Sequence, residues 1–310
     1  MIPIHFKNPE VNTIESLYCK LGLTKKGEGK QGDLRKNPQA VDDWCKANLI
    51  IDGKAYSFPE IIKADFSTLT RIRQEIDDKN LAMPDDLKNY IVNTLYEIRF
   101  PRKEFVDALE VTVCPYCNRN FVNSTFDKTM CDLDHFFEKS EYPILAVSFY
   151  NLIPVCHYCN HIKGTKKIIY SSHDGKFKTD ELLTFDFHIR GIDFLNDKQQ
   201  LGIEIYDAKE IESNVDILKL RELYQIHTDV VQECIKKAMI FEPGYLKYLL
   251  NEYRDLFVSK EELYRVVFGN YYEEEAYVKR PLSKMTSDIL RDLMMICYSV
   301  DLRVETDKET

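Results

Sequence analysis

The chain has 310 residues, 44% apolar and 30% charged, with a formal net charge of −9. That balance excludes a disordered chain. The negative charge excludes a protein that coats nucleic acid with its whole surface, because phosphate binding needs local positive charge.

No stretch reaches the roughly 18 consecutive apolar residues of a membrane span. Met1 to Glu10 has neither an apolar run nor a cleavage-site pattern. A cytoplasmic protein is therefore expected, and in a reducing compartment its nine cysteines do not form a disulfide framework. Clustered cysteines there point to metal and isolated ones to core packing.

The first hundred residues read as helical. Lys20 to Lys36 carries six cations against Glu28 and Asp33, which is a candidate local basic surface or simply a solvated loop. Asn37-Pro38 reads as a helix start. Ser57 to Asp77 repeats apolar residues at helical spacing through Ile62, Phe66, Leu69, Ile72 and Ile76. Pro84 to Arg99 does the same with Leu87, Ile91, Leu95 and Ile98, and Pro101 ends it before a shorter helix through Phe105 and Leu109.

The character changes at Val111. From there to about Gly164 come short β-branched runs, paired cysteines and polar loops, and Thr184-Phe185-Asp186-Phe187 reads as one more short strand. After about residue 210 the pattern is helical again, with Leu220, Leu223, His227, Val230, Val231 and Cys234 on one face. Ser259-Lys260-Glu261-Glu262 is a capping-box pattern, and Ser283 to Cys297 reads as the last helix. The expected fold class is α+β, a mainly α-helical chain around a central irregular module. Its parts are a helical region 1–110, a module 111–190 and a helical region 191–310.

Cys114-Pro-Tyr-Cys117 and Cys156-His-Tyr-Cys159 are two C-x-x-C pairs. Each turn aims two thiolates at one ion, and two such pairs complete a closed tetrahedral site. Thiolates select zinc, so structural Zn²⁺ on Cys114, Cys117, Cys156 and Cys159 is expected. Cys19, Cys45, Cys131, Cys234 and Cys297 stand alone and read as small core residues. His5, His173 and His188 read as ordinary surface or core histidines, and His227 as a satisfied core histidine.

Between the pairs lies Asp134-His135, then Asn151, with Asn160 and Lys163 after the last cysteine. Phosphodiester cleavage needs a base to activate water, a cation for the developing charge, and ligands for that cation. An Asp beside a His at a strand end offers an oxygen ligand and a base together. Two protein ligands suffice for Mg²⁺, which keeps several waters.

The order of cysteine pair, Asp-His, Asn, cysteine pair, Asn and Lys resembles the HNH, or ββα-metal, endonuclease family over roughly residues 111 to 165. The resemblance implies that His135 is the general base and that Asp134 and Asn160 hold Mg²⁺ or Mn²⁺. It implies that Asn151 braces the loop and that Lys163 contacts phosphate. The last ligand position often holds His in that family, so Asn160 is a departure with His161 as an adjacent substitute. Glu138 stands where Pro is common and is either a surface charge or a further metal ligand. The motif does not separate DNA, the expected substrate, from RNA such as transfer RNA. A degenerate, non-catalytic nucleic-acid adaptor is the other alternative.

Tyr142 to Pro154, together with Asn270-Tyr-Tyr-Glu-Glu-Glu and Arg280-Pro-Leu-Ser-Lys284, resembles HNH proteins of Septu-type bacterial anti-phage systems, including those attached to retrons. That resemblance implies an ABC- or SMC-like ATPase partner. The late segment reads equally well as a helix junction, with Arg280-Pro281 stopping one helix and Ser283 capping the next.

Overall fold

In the computed structural model the described residues are 2–4, 6, 11–23, 36–176 and 178–299. Most of the expected basic stretch (residues 24–35), like His5, lies outside them. The fold is α+β, mainly helical, with three separate two-stranded antiparallel sheets among the described residues.

The N-terminal part is α1 (Val11–Lys20), α2 (Lys36–Asn48), a minimal hairpin of β1 (Ile50–Ile51) and β2 (Lys54–Ala55), α3 (Phe58–Lys63) and α4 (Phe66–Asp78). Pro38 falls in the first turn of α2, where its missing N–H costs nothing. The periodic stretch from Ser57 is two helices, not one. Ser57 and Glu60 form a full capping box at α3, Ala64 turns extended, and Asp65 caps α4 by accepting from Thr68 N at 2.8 Å. Two strong caps eight residues apart outweigh an apolar repeat that runs through both.

α5 (Asp85–Asn89) continues as a π-helical stretch, Tyr90–Arg99, before α6 (Arg102–Leu109). The apolar spacing does not announce the wider winding. Such stretches gather at functional sites, and this one presents Tyr96 to the module described below.

The module itself is a ββα unit: β3 (Asp132–His135), β4 (Leu152–Val155) and α7 (His157–Lys163). The strands pair in the register Asp134 to Ile153 and His135 to Leu152. Every residue of β4 is buried, as a strand covered on both faces requires.

After the short α8 (Thr179–Leu182), β5 (Leu183–Ile189) pairs along its length with β6 (Leu201–Asp207), a hairpin that straddles residue 190. The sequence reading found only the first of these strands. Leu201, Ile203 and Ile205 are the buried alternating positions of the second.

The remaining helices are α9 (Glu212–Ile217), α10 (Leu220–Tyr224), α11 (Thr228–Ile240), α12 (Pro243–Glu252), α13 (Lys260–Phe268) and α14 (Ser283–Tyr298). The apolar face read through Leu220 to Cys234 is interrupted by a 3₁₀ turn, Gln225–His227. Ser259 caps α13 as expected, accepting from Glu262 N at 3.2 Å. No helix among the described residues is long and apolar enough to cross a membrane.

The late segment is a latch. Asn270 joins Thr286 Oγ1 at 2.7 Å and accepts from Ser283 Oγ at 3.2 Å. Leu282, not Ser283, occupies the cap of α14, in left-handed backbone. The first turns of α14 are buried on all sides, so their polar groups need partners. Lys284 Nζ meets Asp180 at 2.6 Å and Asp288 at 2.8 Å, and Asp288 accepts from Phe185 N at 2.9 Å. This network ties α14 to α8 and β5.

Of the isolated cysteines, Cys45 and Cys234 are buried core residues, and burial pushes the Cys234 thiol up to about 12. Cys131 is half-buried against the core, whereas Cys19 and Cys297 are exposed, so the core reading fails for those two. In α1 and α14 the apolar positions around them already fill the buried face. His173 is a core histidine, its Nε2 2.8 Å from Leu152 O. His227 accepts from Arg119 Nε at 2.9 Å.

Asn118, next to Cys117, sits at φ +49°. Its side chain donates to Tyr277 O at 2.8 Å and accepts from Lys284 N at 3.1 Å. Asn118→Ala removes both buried bonds and a residue type that tolerates left-handed backbone. A loss of about 2–4 kcal/mol is expected in denaturant unfolding, and a loss below about 0.5 kcal/mol would refute the bridging role.

Candidate active site

The four paired cysteines converge. All four are buried, and their sulfurs lie within 4.8 Å of one another. Cys114 and Cys117 sit in a tight turn closed by Asn118 N donating to Cys114 O at 2.8 Å. Cys156 follows β4 directly and caps α7, which carries Cys159. Asn120 Nδ2 reaches Cys156 Sγ at 3.3 Å, an amide donor suited to a thiolate. Four thiolates this close would require a cation, and the all-sulfur set with no open position fits a structural zinc.

Tyr116, inside the first cysteine pair, links this cluster to the next. Its hydroxyl donates to Asp134 Oδ2 at 2.5 Å, and Lys163 Nζ donates to Asp134 Oδ1 at 2.9 Å. Asp134 and Lys163 form a buried ion pair, with side chains 6% and 1% exposed. Burial pushes the Asp134 carboxyl up, against the pull of Lys163 and Tyr116. A carboxylate offers about four lone-pair sites. Two are used here, so a divalent cation has acceptor capacity left.

His135 is also buried. Its ring packs edge-on to Tyr96 with centroids 4.5 Å apart. Its Nε2 lies 3.0 Å from Ala146 O. Burial lowers the imidazole to about 3, so the ring is neutral. A carbonyl can only accept, so Nε2 carries the hydrogen and the lone pair is on Nδ1.

Asn151 is wholly buried and engages the loop after β3 with both ends of its amide. It donates to Phe137 O at 3.0 Å and Leu145 O at 2.9 Å, and accepts from Phe137 N at 2.7 Å. Its own carbonyl accepts from Phe136 N at 2.9 Å. The loop that contains Ala146 is thereby fixed, and with it the tautomer of His135.

Asn160 lies one turn before Lys163 on α7. Its Nδ2 donates to Asp132 Oδ2 at 3.0 Å, an oxygen that also lies 3.0 Å from His157 Nδ1. Asp132 was missed by sequence reasoning. The available signal was parity: residues i and i+2 of a strand share a face, so Asp132 lies on the Asp134 side. His157 and Asn160 likewise share a helical face at i and i+3.

Asp132 and Asn160 are in contact, while Asp134 is engaged by Tyr116 and Lys163, and all three carry oxygens of the kind a hard divalent cation takes. Lys163 is placed differently from a phosphate-contacting surface lysine. Its ammonium is spent on Asp134 and on His135 O at 3.3 Å, because α7 packs that side against β3. His161 is exposed at the surface, and Glu138 Oε1 has no hydrogen-bond partner among the described residues.

Residues 114–166 match the protein-family model described as HNH endonuclease. The match spans both cysteine pairs and the residues through Lys163. The module is thus an HNH nuclease domain, a phosphodiester hydrolase, and nucleases of this type use divalent metals. No curated protein and no solved structure matches the chain.

Elemental analysis of the purified protein is expected to find one zinc per chain. Cys117→Ala should lose it and unfold the module, because structural-zinc binding energy is folding energy. A Cys117→Ala protein that stays folded and active would sink the clamp reading.

Proposed function

We propose that the protein is a Mg²⁺- or Mn²⁺-dependent endonuclease acting on DNA. The observation that carries this reading is the match of residues 114–166 to the HNH endonuclease model, in a module that holds His135 on Ala146 O and the adjacent Asp134 on Tyr116 and Lys163.

His135 is the general base. Its Nδ1 lone pair takes a proton from water, and the hydroxide attacks phosphorus in line. The P–O3′ bond breaks, leaving 5′-phosphate and 3′-hydroxyl ends. Asp134 and Asn160 are the residues that would hold the divalent cation, which supplies charge neutralisation at the phosphate and the departing oxygen. Asp132 orients Asn160 through its amide. Lys163 holds Asp134 in place, and its contact with phosphate would require the buried pair to open. Asn151 fixes the loop that orients the base.

The attack uses no 2′-hydroxyl, so RNA fits the same chemistry and belongs in the same assay. A role as the nuclease of a Septu-type anti-phage system, acting with an ABC- or SMC-like ATPase, fits the resemblance of Tyr142 to Pro154 and of the 270–284 segment. The net charge of −9 fits an effector whose affinity for nucleic acid comes partly from a partner.

Plasmid DNA and total RNA are each incubated with the protein, with Mg²⁺ or chelator. Mg²⁺-dependent cutting is expected to fall about 10²–10⁴-fold in His135→Ala, with zinc content unchanged and the melting temperature lowered by the lost Ala146 bond and Tyr96 packing. Asn160→Ala should raise the Mg²⁺ concentration needed for half-maximal cutting. Equal cutting by His135→Ala would refute the base assignment.

A further inference from the structure

A cavity of about 630 Å³ lies between α4, the loop that follows His135, and the chain just after α7. Its size is that of a small-molecule site, roughly 300–1,000 Å³. Phe136, Phe137 and Glu138, the three residues after His135, line it, so it adjoins the catalytic strand directly.

The cavity has an aromatic wall. Phe66 and Phe137 are parallel within 5°, centroids 5.8 Å apart, and Phe136 meets Phe66 edge-on at 5.3 Å. These rings are only half-buried. Around them stand four cations, Arg71, Arg73, Lys167 and Lys176, against two carboxylates, Glu138 and Asp174. This positive lining belongs to a chain with a net charge of −9.

Lys176 is exposed and has no ion pair among the described residues. Arg71, Arg73 and Lys167 pair with acidic side chains across exposed or half-exposed surface. Pairs of that kind are weak and can be exchanged for phosphate. Glu138 Oε1, shielded from water, has no hydrogen-bond donor among the described residues. Rotation about its terminal torsion, which is broad and soft, presents it to the cavity.

Aromatic faces ringed by cations are the way single strands are held, since every base has a π-face and duplex bases are already stacked. A carboxylate accepts only. Guanine offers N1–H and N2–H₂ side by side, whereas thymine and uracil place one N–H between two carbonyl oxygens. We propose that this cavity takes an unpaired nucleobase of the substrate strand, guanine preferred, beside the bond to be cut. The inference rests on the nuclease reading for its substrate and makes that substrate single-stranded or locally unpaired.

Fluorescein-labelled 12-mers test it by anisotropy on the full chain carrying His135→Ala, so that no strand is cut. The probes are oligo-dT with one central dG, oligo-dT alone, the matching duplex, and the RNA equivalents. The strand with guanine should bind about tenfold tighter than oligo-dT and than the duplex. Phe137→Ala should weaken single-strand binding about tenfold. Glu138→Gln, which leaves the rings in place, should erase the guanine preference and leave oligo-dT binding unchanged.

Equal affinity for all probes, untouched by Phe137→Ala, overturns the proposal. If Phe137→Ala fails to fold, equal affinities together with an inert Glu138→Gln overturn it alone. Free GMP binding as tightly as the guanine strand makes this a mononucleotide site and also overturns it. Cutting by the wild-type chain with no base preference sinks the cavity reading and spares the nuclease. Guanine preference without any cutting does the reverse.

Discussion

Four sulfurs within 4.8 Å of one another set the position of almost everything else in the module. They join a turn at residues 114–117 to the end of β4 and the start of α7, segments that would otherwise share little backbone pairing. With the cysteines fixed, Tyr116 is delivered to Asp134 from one side and Lys163 from the other. The cysteine cluster is therefore not a remote staple. One of its own turn residues hydrogen-bonds the carboxylate at the centre of the site.

Around that cluster the chemistry is held by rigid, buried polar contacts rather than by exposed side chains. Asn151 fixes the loop, the loop carbonyl fixes the imidazole, and Tyr96 from the π-helical stretch closes one side of the ring. Locking groups into one geometry before substrate arrives is how a small site gains orientation without reorganising during the reaction. The cost is the burial of Asp134, which only the neighbouring ammonium and phenol make tolerable.

Much of this was legible in the sequence, and for physical reasons. Paired cysteines at fixed spacing have few other uses, and an Asp-His pair followed by spaced asparagines constrains chemistry tightly. α13, with its Ser259 cap, and α14, with its phased apolar residues, were also readable. What escaped was set by distance along the chain. Asp132 gains meaning only when α7 folds back onto β3. The partner strand β6 carries an alternation, Leu201, Ile203 and Ile205, that only its pairing with β5 makes decisive. The latch of Asn270, Ser283 and Thr286 looked like a helix junction because its hydrogen bonds join residues 13 and 16 positions apart. Lys163, a phosphate contact by the family resemblance, turns its ammonium inward to Asp134, a direction that the sequence does not state.

The first cysteine turn is gripped from both directions of the chain. Ile2 N donates to Pro115 O at 2.8 Å, and Tyr224 Oη donates to Cys117 O at 2.6 Å. Asn118, one residue on, takes hold of Tyr277 and Lys284. The ββα unit is therefore not a portable cassette. Excised between its cysteine pairs it would leave those carbonyls and amides to water and lose the walls that keep its turn in register. The helical regions on either side belong to the catalytic unit, and grafting this nuclease onto another scaffold would have to carry them along.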